Sequence, residues 1–223
     1  MRVMRFLTVT VAAAMIVASA RAAGPTIKLT TAGNSSAKAS LIQLTDLGKG
    51  WASKTAPSGG LQVSCKGFQP SMKGIVETGA AGSPAFSDSS VGPFISQTAS
   101  VYGSAGQASA VWARAIQPGL IACVTQSVEA IAATGQGVKV KITSKGPLTI
   151  QKPTKLVTAY RVIATLTSSK VKYKRTLYFD VVLVGEAKTV TEITFSSLQA
   201  PVPASVEAAL AALVAHRIGL PTA

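Results

Sequence analysis

An α+β fold, in which an antiparallel β meander packs against helices, is predicted by three observations. Apolar and polar residues alternate through 138–142, 155–167, 170–184 and 188–198, with short gaps between the runs. Before these runs, and again after them, apolar residues recur at helical spacing. An apolar content of 48% in 223 residues is enough for one domain with a real core, and it argues against disorder.

The N-terminus reads as an export signal over residues 1–22. Arg2 and Arg5 precede an uncharged apolar run from Phe6 to Ala20, and small residues stand at Ala18, Ala20 and Ala22. That run falls short of the roughly 20 apolar residues that cross a bilayer, although retention as an uncleaved anchor stays open. The first cysteine is Cys65, so the lipoprotein route, which needs a cysteine as first mature residue, is closed. Residues 23–36 are expected to form a flexible leader, and 37–220 a single domain.

Within that domain, Ala37, Leu41 and Leu44 follow i, i+4, i+7, with Ile42 and Leu47 widening the stripe, which predicts a short helix. Gly48 suits its end and Lys49 the negative pole of its dipole. Trp51, just beyond, is expected to fold back as an apolar plug between helix and sheet. The Gly-, Ser- and Pro-rich stretch 59–92 predicts loops with a short strand near Ile75 to Ala80. Phe94 to Tyr102 reads as a strand. Ser104 caps a helix with Ala105, Ala108 and Trp112 on one face. Pro118 opens a second helix along Leu120, Val124, Val128 and Ile131. The terminal PASVEAALAALVAHRIG is a helix with Val206, Leu210, Leu213 and Val214 inward.

Register in the meander follows from aligning apolar residues on one face. A turn at Ser168–Ser169 sets Ala164 opposite Tyr173 and Tyr160 opposite Leu177. A second turn at Gly185–Ala187 sets Phe179 opposite Ile193 and Asp180 opposite Glu192. Arg175 is the exception, falling on the core side.

The candidate chemistry is sparse. Cys65 and Cys123 are expected to pair in an exported chain, with two buried thiols as the alternative; a metal site would have only His216 to add. With 22 Lys+Arg against 8 Asp+Glu the chain carries +14, and +11 once Arg2, Arg5 and Arg21 leave with the signal. Such a charge favours an anionic membrane surface or wall polymer, and export disfavours nucleic acid. Lys170, Lys172 and Lys174, with Arg161 on the neighbouring strand, form the candidate anionic-ligand patch; lysines also serve simply to protect sheet edges. Asp180 and Glu192 form a candidate carboxylate pair for acid/base or calcium chemistry, weighed against a solvated sheet end. No nucleophile constellation surrounds the single histidine, and no P-loop, dinucleotide fingerprint or HExxH motif is present. No catalytic residue, cofactor or metal is therefore assigned.

The LTDLGKGW turn at residues 44–51, the SVYGSAGQA junction at 100–108, Cys65, and Cys123 in a following helix carry a family resemblance. In that order the chain resembles actinobacterial cell-envelope proteins of the LpqN-type lipoprotein group and the extracellular sensor domains of membrane serine/threonine kinases, which share a PsbP-like sandwich. It departs from them in having no lipidation cysteine, no kinase domain, and one candidate disulfide where the kinase sensor domains usually have two. The resemblance implies an extracytoplasmic, non-enzymatic binding or sensor-like module. Its expected ligand is a lipid, glycolipid or anionic wall component in a groove between sheet and helices, with a partner-binding adaptor of an envelope complex as the alternative.

Overall fold

A computed structural model describes residues 24–55, 64–133, 138–168 and 173–219. Among them nine strands form one sheet: β1 (Thr26–Ile27), β2 (Ala52–Lys54), β3 (Val76–Gly82), β4 (Ala85–Ser87), β5 (Phe94–Tyr102), β6 (Val138–Pro147), β7 (Leu156–Ser168), β8 (Tyr173–Glu186) and β9 (Thr189–Ser197). The main path runs β1-β3-β5-β9-β8-β7-β6, with β2 joined through β4 to β5. The β1–β3 pairing is parallel and every other pairing is antiparallel. The expected meander is present as β6 through β9, extended by β5.

Helices lie on both faces: α1 (Thr31–Ala39) and α4 (Ala204–Gly219) on one, α2 (Ala105–Val111) and α3 (Gln117–Ala133) on the other. One core joins Trp112, Ile116, Leu120, Val124 and Val128 to Val162, Leu177, Phe179, Val181 and Leu183 of the sheet. The second joins Leu210, Ala211, Val214 and Ile218 to Val182, Val184, Ile193 and Phe195. Leu47 and Trp51, on either side of Gly48 (φ 80°) and Gly50 (φ 96°), pack half-buried against this second core. Those positive φ values are what the two glycines permit.

Helices α2 and α3 are joined by a π-helical turn, Trp112–Ile116, directly before Pro118. A proline cannot donate to the turn before it and its ring crowds the carbonyl four residues back, so the widened turn accommodates it. Ser104 caps α2 as expected, its hydroxyl accepting from the Gln107 N–H.

Four expectations are corrected. The stretch expected as a leader holds β1 and α1, and α1 ends at Ala39, so it contains Ala37 but not Leu41 or Leu44; Leu44–Asp46 is a separate short 3-10 turn. Its capping residue is Thr30, and it packs through Gly33 and Ala37 instead of an apolar stripe. Leu41 and Ile42 are buried from non-helical chain, where the amide of Gln97 bonds the Ile42 N–H and the Ser40 carbonyl. In the first hairpin Ala164 pairs with Leu177 and Tyr160 with Val181, four residues from the expected register. The slip is even, so the faces are as expected; Arg175 lies exposed toward the strand end, opposite Leu166.

The second hairpin slips by three, which is odd. Phe179 pairs with Ser196, Val182 with Ile193, and Asp180 with Phe195. Glycine at 185 pointed to the turn, but Gly185 lies within β8, where a side chain would press on Leu156 and Trp112. The turn falls instead at Ala187–Lys188, with Ala187 in the left-handed region at φ 48°. On α4, Val206 is 41% exposed and Glu207 is fully buried in its place.

Candidate anion-binding face

The alternation of VKVKI in β6 turns Val140 and Ile142 into the first core and leaves Lys139 and Lys141 exposed on the opposite face. Register then extends this face across the sheet. Lys139 pairs with Thr167, which pairs with Lys174; Lys141 pairs with Thr165, which pairs with Thr176. Strand spacing puts the Cα atoms of Lys139 and Lys174 about 10 Å apart, and those of Lys139 and Lys141 about 7 Å. Both separations are close to the Debye length of about 8 Å at physiological salt, so the three charges act together. None of the three enters an ion pair among the described residues.

Helix α4 stops short of this face. Its Glu207 lies against Arg161 at the Asp180 level and its Gly219 lies against Glu186, so it runs along β8 away from Tyr178, Thr176 and Lys174. Of the residues expected in the basic patch, Lys174 belongs to the face, while Lys170 and Lys172 lie outside the described residues. Arg161 does not belong: it sits about 20 Å along the strand from Thr167, the partner of Lys174. Lys139 and Lys141 were not anticipated, because their place depends on β6 pairing with β7.

Arg161 serves a buried cluster beneath the start of α4. Its Nε and Nη2 donate to the two carboxylate oxygens of Asp180 at 2.7 and 2.8 Å. Nη2 also reaches the Val202 carbonyl at 3.2 Å and Glu207 Oε1 at 3.4 Å. Asp180 is 1% and Glu207 0% exposed, and Glu207 Oε2 has no hydrogen-bond partner among the described residues. Burial, and then the neighbouring Asp180 carboxylate, pushes the Glu207 carboxyl up to about 8. A proton on Glu207 leaves one guanidinium facing one carboxylate, the arrangement that a buried site tolerates best.

The expected Asp180–Glu192 pair is not formed. Asp180 shares a face with Phe195, whereas Glu192 pairs with Leu183 and Thr98 on the other face of the sheet. The odd register slip separates them, since one residue changes the face. Glu192 is half-buried there, in a hydroxyl-bearing strip with Ser96, Thr98 and Thr194, and burial pushes its carboxyl up to about 7. Ser96 and Thr194 hydroxyls bond each other at 2.6 Å.

Cys65 and Cys123 form a disulfide, as expected. It is one of three ties between the 65–68 turn and α3: the Gln126 amide bonds both the N–H and the carbonyl of Lys66, and the Phe68 ring lies directly on Gly119. Nearby, Pro70, Ser71, Lys73 and Arg114 line an open depression of about 520 Å³. Arg114 Nη1 donates there to the Ser71 and Lys73 carbonyls, so its charge is engaged by backbone. Among the described residues no three of His, Cys, Asp and Glu come together as a metal site, and no helix is long and apolar enough to cross a membrane. His216 is exposed in the last turn of α4.

These features define a two-faced α+β sandwich with one disulfide, a buried Arg–carboxylate cluster and a basic sheet face that α4 does not cover. In shape it is similar to the extracellular domain of PknH from Mycobacterium tuberculosis, with a TM-score of 0.42 and 12% identity over 83% of this chain and 95% of that one. A protein of unknown function from Pseudomonas aeruginosa matches at a TM-score of 0.27 and 15% identity, over 77% of this chain and 92% of that one. Neither likeness transfers a residue or an activity. No family model and no curated protein matches the chain, so the LpqN-type resemblance has no counterpart there.

Proposed function

We propose that the protein is an exported, non-enzymatic binding domain of the cell envelope, whose ligand is an anionic envelope component. One observation carries this reading: Lys139, Lys141 and Lys174 enter no ion pair among the described residues and stand on a sheet face that α4 does not cover. The formal charge supports it, +14 for the whole chain and +11 once Arg2, Arg5 and Arg21 leave with the signal, because an excess of that size draws the whole molecule toward anionic surfaces. The disulfide supports an oxidising, extracytoplasmic location. Export itself rests on the N-terminal segment, with Arg2 and Arg5 ahead of the apolar run.

The test is cosedimentation of the purified mature protein with isolated native envelope, at low and high salt. The reading expects retention at low salt, release at high salt, and loss of retention when Lys139, Lys141 and Lys174 are all replaced by Gln. Retention that ignores both salt and the three substitutions would overturn it.

A further inference from the structure

We infer that the β6–β7–β8 face docks on the surface of an anionic phospholipid bilayer; this inference rests on the function proposed above and narrows its ligand to lipid. The first argument is the choice of cation. All three exposed charges are lysines, compact and strongly hydrated, whereas the planar fork that recognises single phosphates bidentately belongs to arginine. The one arginine on this side of the strands, Arg161, has its fork closed on Asp180. The face is therefore suited to the diffuse potential of many headgroups and lacks the means to grip one phosphate group by geometry.

The second argument is shape and lining. Lys139 and Lys141 project from β6 and Lys174 from β8, with Thr165 and Thr167 of β7 between them and Thr176 beside Lys174, so the charges lie on a broad sheet surface instead of converging on a point. Half-buried Ile163 and Tyr178, which pair with each other, border the face on the Arg161 side. A tyrosine and an aliphatic residue beside lysines match the headgroup zone, where amphipathic rings settle. Among the described residues no carboxylate lies at the lysine end of this face; the first one along β8 is Asp180, beyond Tyr178, and Arg161 engages it.

A lysine near an anionic bilayer contributes about 1 kcal/mol, or about five-fold in affinity, so three together contribute on the order of 100-fold. The experiment measures partition of the mature protein onto vesicles of phosphatidylglycerol in phosphatidylcholine, onto pure phosphatidylcholine, and onto lipid-free wall fragments. Expected are binding to the anionic vesicles alone, a loss on the order of 100-fold in the Lys139→Gln, Lys141→Gln, Lys174→Gln variant, and near-complete retention when the same three become Arg. Replacing Lys28, Lys38 and Lys49, all exposed elsewhere, by Gln removes equal charge and is expected to cost far less. Binding to wall fragments without binding to vesicles overturns the lipid inference and leaves the broader function standing. Binding to neither overturns both, and equal losses in the two triple-Gln variants place the attraction in net charge and overturn the face.

Discussion

Arg161 holds Asp180 by two parallel hydrogen bonds across adjacent strands, and Glu207 closes the cluster from α4 with no exposed surface. One cation thus faces two buried carboxyl groups, and the cluster stands where α4 begins, at the border of the open lysine face.

The first prediction follows from the proton on Glu207. Its folded-state value of about 8 stands above the 4.5 of the free side chain, so the folded state binds a proton that the unfolded chain releases. This contribution to stability is complete below about 4.5 and is lost as pH rises through about 8. Thermal unfolding followed between pH 5 and 9 should show Glu207→Gln gaining on wild type toward the alkaline end, by several °C at pH 9. A Glu207→Gln curve parallel to wild type would contradict the assignment.

Arg161 itself is a second target. Its removal leaves Asp180 buried beside no cation, a situation that typically costs about 3 kcal/mol or more. In urea unfolding, Arg161→Met alone should be markedly less stable than Arg161→Met combined with Asp180→Leu. Additive losses would mean that the two side chains do not act as a pair.

Glu192 yields a spectroscopic prediction. With its carboxyl pushed up by burial, side-chain NMR should find its midpoint near 7. A Glu192 midpoint near 4.5 would show the hydroxyl strip to be fully hydrated.

Backbone packing supplies a fourth. A Cβ on Gly79 would collide with the backbone of Gly33, and one on Gly33 with Thr78, so α1 rests on β3 main chain to main chain. Gly79→Ala should lower stability by about 2 kcal/mol, the range of an overpacked core, where an open site such as Gly146 should tolerate Ala. Similar unfolding midpoints for the two variants would contradict this contact.

The disulfide gives the fifth. Cys65 and Cys123 are 58 residues apart, and closing a loop of that length is worth roughly 4 kcal/mol in the chain-entropy model. Reduction, or the double Ser variant, should lower the urea midpoint accordingly. An unchanged midpoint would mean that the Gln126 and Phe68 ties hold the turn unaided.

Much of this architecture was legible in the amino-acid order. The strands from 138 onward, the Ser104 cap, the terminal helix and the cysteine pairing all rest on short-range patterns that tertiary packing left intact. What escaped depends on longer contacts. Helix α1 has no apolar stripe, because small residues such as Gly33 suit its close seat on β3, so periodicity read its residues as a leader. Gly185 looked like a turn and is instead a space for Trp112 and Leu156, and that misreading opposed Asp180 to Glu192. Helix α4 is apolar almost all round, so its phase could not be read from hydropathy; the Arg161 pairing selects Glu207 for the interior and leaves Val206 outside. The lysine face was half visible, since Lys174 stood out while Lys139 and Lys141 needed the β6–β7 register.

The central claim is that the open face of Lys139, Lys141 and Lys174 attaches the protein to an anionic envelope surface. The most direct measurement is the salt dependence of binding to native envelope, for wild type beside the triple Gln variant. The account predicts tight wild-type binding at about 0.05 M salt that is largely gone near 1 M, where the screening length falls to about 3 Å, and a variant weak at both. Wild type and variant binding equally, with the same dependence on salt, would contradict it.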